Sequence, residues 1–290
     1  MSGTHWREVA LNTPILWSRP VLDIPKLGFE MLRRSKDRPL IIHASLPHGE
    51  AGSVVLKAME HISRVVEIHL KGYSKELSAV LDNAIHPAPR LRKLSLRVHP
   101  DAGRFDLLLT SLDDRSLFGG STPCLTTLIL DGCHISRAAS SLLKNLTVLM
   151  LRIPKAARPD MSQCIEILQN TPMLEVLVLT CYMESGLSIG HGQRLIPESS
   201  QTVTLHRLRS VHLLADTNSV AQFVNRVRYP VTNTFSLSSS FRGTRELFSL
   251  FSALGSMLPR ITSSLLQAQV DDTQAQASIK TFSCMSANHR

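Results

Sequence analysis

Pro89-Arg90-Leu91-Arg92-Lys93-Leu94-Ser95-Leu96 and Pro123-Cys124-Leu125-Thr126-Thr127-Leu128-Ile129-Leu130 are two copies of one eight-residue pattern. Aliphatic residues fall at the first, fourth and sixth places counted from the leading leucine, and a proline stands two residues ahead of it. In a strand, alternate side chains point to opposite faces, so the fourth and sixth residues share one face. Proline before the leading leucine ends a preceding helix without taking a hydrogen-bond donor out of the strand. The stretch therefore reads as helix end, turn and short strand with one apolar face.

Working outward, the pattern occurs seven times: Val65-Ile68-Leu70, Leu91-Leu94-Leu96, Leu125-Leu128-Leu130, Leu146-Leu149-Leu151, Leu174-Leu177-Leu179, Leu208-Val211-Leu213 and Thr232-Phe235-Leu237. Start-to-start gaps are 26, 34, 21, 28, 34 and 24 residues. This is the L-x-x-L-x-L core of a leucine-rich repeat, whose period is about 20–29 residues. Two gaps overshoot that range, and the last copy has Thr232 in its leading place, so the repeat is degenerate. One copy cannot bury its apolar face alone and must stack on its neighbours.

Helical spacing fills the intervals. Leu77, Val80, Leu81 and Ile85 form one apolar stripe; Ile165 and Leu168 follow Met161; Val220, Phe223, Val224 and Val227 form another. Ser162 and Thr217 occupy expected N-cap places. Leu40-Ile41-Ile42-His43-Ala44 reads as an introductory strand, and Val54 to Ile62 as a helix. The expected fold is α/β: an irregular leucine-rich-repeat solenoid with parallel strands inside, helices outside and a short helical cap at the N-terminus. Its expected parts are a cap over 1–40, repeats over 41–262 and a tail over 263–290. Rich in Gln, Ser, Ala and Asp, that tail is expected to be poorly ordered.

Composition narrows the function. Five cysteines with no C-x-x-C pair suit neither a disulfide scaffold nor a zinc ribbon and fit a reducing compartment. No secretory leader and no apolar run of membrane-spanning length is visible, so the expected location is cytoplasmic, nuclear or both. The net charge of +9 is dispersed and aromatic residues are 5% of the chain. A nucleic-acid binder would gather its charge on one face and place aromatics among it, so nucleic acid is not the expected partner. No G-x-S-x-G elbow and no phosphate-binding glycine loop is present, so neither catalysis nor a cofactor is expected. The 12 histidines are scattered; His43, His69, His99 and His212 show no metal-binding spacing and read as surface residues. Cys133, at the ninth place after Leu125, reads as a structural residue tucked into the turn.

The strand residues between the inward leucines define the opposite face. Lys71, Lys93 and Arg97 make it basic in the early copies, and Ile129, Val148, Met150, Val176 and Val178 make it apolar in the middle ones. Exposed apolar patches often mark interaction sites, so these residues are the candidate partner-binding surface unless a segment such as 181–204 covers them.

Trp6-Arg7-Glu8-Val9-Ala10-Leu11-Asn12-Thr13-Pro14-Ile15-Leu16-Trp17-Ser18, continued by Phe29 to Leu40, resembles the closing part of the F-box in large families of mushroom-type fungal F-box and leucine-rich-repeat proteins. The residues carrying the likeness are Trp6, Ala10, Pro14, Leu16 and Trp17, together with the recurring Pro-x-Leu-x-x-Leu-x-Leu strands, and it extends to about residue 258. The resemblance implies a substrate receptor that presents proteins to a cullin-type ubiquitin ligase and docks on the ligase adaptor. The Leu-Pro-x-Glu helix that opens an F-box has no counterpart before Trp6, so adaptor binding is expected only where the F-box is completed. The two tryptophans are expected to pack as anchors sealing the end of the repeat stack.

Overall fold

In the computed structural model, the described residues are 2–46, 52–99, 110–111, 117–134, 140–153, 161–181, 202–230, 234–240, 267–270 and 278–285. The chain divides into two units, Met1–Leu146 and Thr147–Arg290.

The first unit begins with helix α1 (Ser2–Leu11), a single 3-10 turn (Pro14–Trp17) and helix α2 (Pro25–Arg34). Strand β1 (Leu40–Ser45), helix α3 (Ser53–Met59), strand β2 (Val65–Gly72), helix α4 (Ser74–Asp82) and strand β3 (Lys93–Val98) follow. Then come β4 (Thr110–Ser111), β5 (Thr127–Asp131), β6 (Cys133–His134) and α5 (Ser140–Leu143). Strands β1, β2, β3 and β5 lie side by side in chain order, all parallel. Parallel neighbours need a crossover, and here it comes from α3, α4 or the long β3–β5 connection.

Register is the decisive detail. Ile68 faces Leu94 and Leu94 faces Leu128; Leu70 faces Leu96 and Leu96 faces Leu130. Equivalent places of successive copies thus pair residue for residue, and every one of these side chains is at most 2% exposed. Ile42 pairs with Ile68, which makes β1 a further copy in front of the seven. Turns repeat as well: the N–H of Leu91, Leu125 and Leu146 each donates to the carbonyl three residues earlier, on Ala88, Thr122 and Leu143. From the helices, Val54, Val55, Leu77, Val80 and Leu81 cover the leucine rows and are fully buried. Ile85, assigned above to the α4 stripe, lies beyond the helix end and is exposed, because the helix stops at Asp82.

The second unit repeats the scheme. It contains β7 (Val148–Ile153), α6 (Met161–Gln169), β8 (Val176–Cys181), β9 (Val203–Thr204), β10 (Ser210–Asp216), α7 (Thr217–Arg226), β11 (Val227–Arg228) and β12 (Thr234–Ser240). Strands β7, β8, β10 and β12 are parallel and adjacent; Leu149, Leu177, Val211 and Phe235 share one row, and Leu151, Leu179, Leu213 and Leu237 the next. Phe223 and Val224 of α7 are buried, whereas Val227, placed above on that helix, opens β11 and is buried there. Helices α6 and α7 begin at Met161 and Thr217; the expected capping side chains of Ser162 and Thr217 lie outside the described ones.

Within the tail, β13 (Gln267–Val270) and β14 (Ser278–Met285) extend the second sheet, with β14 antiparallel to β12. Ile279, Thr281 and Phe282 give β14 residues of β-forming type. One expectation is corrected: Trp6 is no packing anchor. It is 69% exposed on α1, edge-on to His5. Trp17 is half-buried: its indole N–H donates to the Ala10 carbonyl at 2.9 Å, and the Arg34 guanidinium lies 4.8 Å above its ring. It ties α1 to α2.

The Cys133 expectation concerned packing, and the thiol is buried, with Sγ 4.0 Å from the Asp131 carbonyl. Burial, with the Asp131 charge beside it, pushes its pKa up to about 12. The thiolate is the nucleophile, so at pH 8 this group is expected to resist alkylation while exposed Cys124 reacts. Iodoacetamide labelling of the native chain with peptide mass spectrometry checks this; equal labelling of the two would contradict the burial.

Candidate functional site

Strands alternate, so burying the leucines on one face turns every other residue to the opposite face of each sheet. Among the described residues the side chains of this face are half-buried or exposed, except Thr180, which is buried. Fully parallel sheets elsewhere are normally covered on both faces.

In the first unit this face is polar. Glu67, Lys93 and Thr127 share one row, His69, Ser95 and Ile129 the next, and Lys71, Arg97 and Asp131 the third. The three predicted basic residues do stand on one face. Arg97 is already paired, its Nε 3.1 Å from Oδ2 of Asp131, and Glu67 stands beside Lys93. The basic patch is therefore interleaved with carboxylates and partly neutralised. Ile129, predicted as part of an apolar surface, neighbours Ser95 and is half-buried.

The second unit carries the apolar part. Val148 pairs with Val176 and Met150 with Val178, so four apolar side chains form a block on two adjacent strands, each half-buried. Strands ~4.8 Å apart bring such neighbours into contact. Beside the block, Ser210 pairs with Val176 and His212 with Val178, and the His212 ring lies 3.2 Å from the Ser210 hydroxyl. Leu214 is exposed on the same strand. The sequence reading named 181–204 as a segment that covers these residues if any does; of it, residues 182–201 lie outside the described residues.

Sequence reading missed two features. The first is a group on the first unit's open face. His43 pairs with His69, their rings edge to face with centroids 4.2 Å apart, and His69 Nε2 lies 3.2 Å from Oε2 of Glu67. Burial and the neighbouring His69 lower the His43 pKa below its ordinary value. The second is the head. Of the large apolar side chains exposed among the described residues, all but Ile85 and Leu214 fall between Trp6 and Phe29. Ile15 and Leu16 join Ser18, Arg19, Pro39, Ile41 and Val66 around a cavity of about 400 Å³. Of the F-box-like residues, Trp6 and Leu16 are exposed, while Ala10, Pro14 and Trp17 are half-buried between the cap helices.

Comparison with known proteins gives no family. No protein-family model, curated protein or solved structure matches the chain. Among the described residues, no helix is long and apolar enough to cross a membrane.

Proposed function

We propose that the chain is a non-catalytic protein-recognition module, a degenerate leucine-rich-repeat solenoid resembling the substrate-receptor part of an F-box ubiquitin-ligase subunit. The observation that carries it is the open sheet face bearing the Val148, Met150, Val176 and Val178 block. Apolar side chains left only half-buried on an otherwise leucine-packed fold are a common mark of an interaction site. The residue-for-residue stacking of the leucine places and the strict chain order of the parallel strands support the repeat reading. The head, with Trp6, Ile15 and Leu16 exposed, is the adaptor-facing surface in this reading, where a Leu-Pro-x-Glu helix completes it. Nothing in the reading requires a cofactor.

Proximity labelling in cells followed by reconstitution with the purified chain tests the proposal. A true partner binds wild type, loses at least tenfold in affinity to Met150→Asp and Val178→Asp variants of unchanged circular dichroism, and changes little between low and moderate salt. The rival is a scaffold or nucleic-acid binder working through Lys71, Lys93 and Arg97. For that, affinity for single-stranded RNA or duplex DNA would fall steeply with salt and with Lys71→Ala and Lys93→Ala. That result would displace the proposal.

A further inference from the structure

We propose that His43, Glu67 and His69 form a binding site for a zinc-class divalent metal ion on the open face of the first sheet, independent of the protein-recognition reading above. The placement follows from the register. His43 and His69 occupy equivalent places on adjacent parallel strands, and Glu67 lies two residues before His69 on the same face. Two imidazoles and a carboxylate are thereby turned to one point from backbone positions fixed by the leucine core beneath: Ile42, Ile68 and Leu70 are each at most 2% exposed. One donor atom of each of the three lies within 4.8 Å of the others.

Tetrahedral zinc holds nitrogen and oxygen donors at about 2.0–2.2 Å, which sets them roughly 3.4 Å from one another. His69 Nε2 and Glu67 Oε2, at 3.2 Å, already match that spacing. His43 is exposed, so a χ rotation can bring its ring nitrogen in without disturbing the core. Two imidazoles with one carboxylate suit zinc, cobalt or nickel over magnesium or calcium, which prefer oxygen donors alone. Three protein donors leave a fourth position toward solvent, open to water. Protein ligands on a sheet surface with an open position hold the ion exchangeably, unlike the closed four-ligand sites that hold small domains together.

The test uses the full chain without a histidine tag, stripped of metal by chelation and titrated with zinc by calorimetry and with cobalt by visible absorption. Expected is one equivalent with a cobalt spectrum of nitrogen and oxygen ligation. Binding should weaken at least ~10-fold in His43→Ala, in His69→Ala and in Glu67→Gln, since even losing an outer-shell partner commonly costs 10–100-fold. Circular dichroism of the variants should be unchanged, because all three residues lie on the open face. An untouched titration in His43→Ala and His69→Ala, no binding to wild type, or cobalt-thiolate charge-transfer bands pointing to a cysteine would each overturn the site.

Discussion

Replacing Leu128 by alanine is expected to remove about 2–5 kcal/mol of stability, and replacing its chain neighbour Ile129 by alanine only about 1 kcal/mol. Both lie on β5 and differ by one atom-for-atom isomer, yet Leu128 is 0% exposed beneath Leu94 whereas Ile129 is half-buried on the open face. The larger loss combines missing transfer energy with a cavity that the paired rows cannot close, since the neighbouring strands are held by their own hydrogen-bond ladders. Against a typical 5–15 kcal/mol for a whole domain, the Leu128 change is a large fraction of the stability. Urea titration, with amide exchange at β3 and β5 as the local reading, measures it. Equal losses at the two positions would mean that both faces of the sheet are packed, and the open-face description would fail. The same comparison between Leu177 and Val178 in the second unit separates core from the proposed recognition surface, and a small stability change at Val178 is what makes its aspartate variant a fair probe of binding.

The parallel strands were legible because their information is local. An aliphatic residue at places one, four and six specifies a strand face, and a proline before it specifies where the strand starts; neither depends on a distant partner. The same locality explains what was missed. His43 and His69 are 26 residues apart and meet only because β1 is paired with β2 one position out of step at Leu40 and Ile41, where the register shifts. Counting Ile42 as the fourth place of a further copy would have put His43 at the same place as His69. No comparable signal exists for the strands of the tail, whose order depends on the edge that β12 presents. Nor does composition tell how deep an indole sits: Trp17 is half-buried because the Ala10 carbonyl and the Arg34 guanidinium lie within its reach. For the candidate surface, alternation told which side chains share a face; what covers a face depends on long connections, which alternation does not describe.

Gly132→Ala is expected to cost about 2–5 kcal/mol, and Gly120→Ala about 1–2 kcal/mol, in the same unit. Both glycines have positive φ, +76° and +69°, a region that strains any residue with a Cβ. They differ in surroundings. A Cβ at Gly120 meets nothing within 4 Å, so only the backbone penalty applies there. At Gly132, between β5 and β6, a Cβ would stand 2.9 Å from the Cβ of Val98 on β3, closer than carbon atoms approach. Relief requires one strand to move off the other, which overpacking data put at about 1–3 kcal/mol beyond the strain. The pair therefore separates conformational from steric cost within one repeat. The Gly132 substitution also strikes at the step from the inward leucines to the turn, where the next connection leaves the sheet. Thermal melts of the two variants against wild type give the comparison; a Gly132 loss no larger than that at Gly120 would show that β3 and β5 yield at this point, and that the paired leucine rows are looser than their register implies.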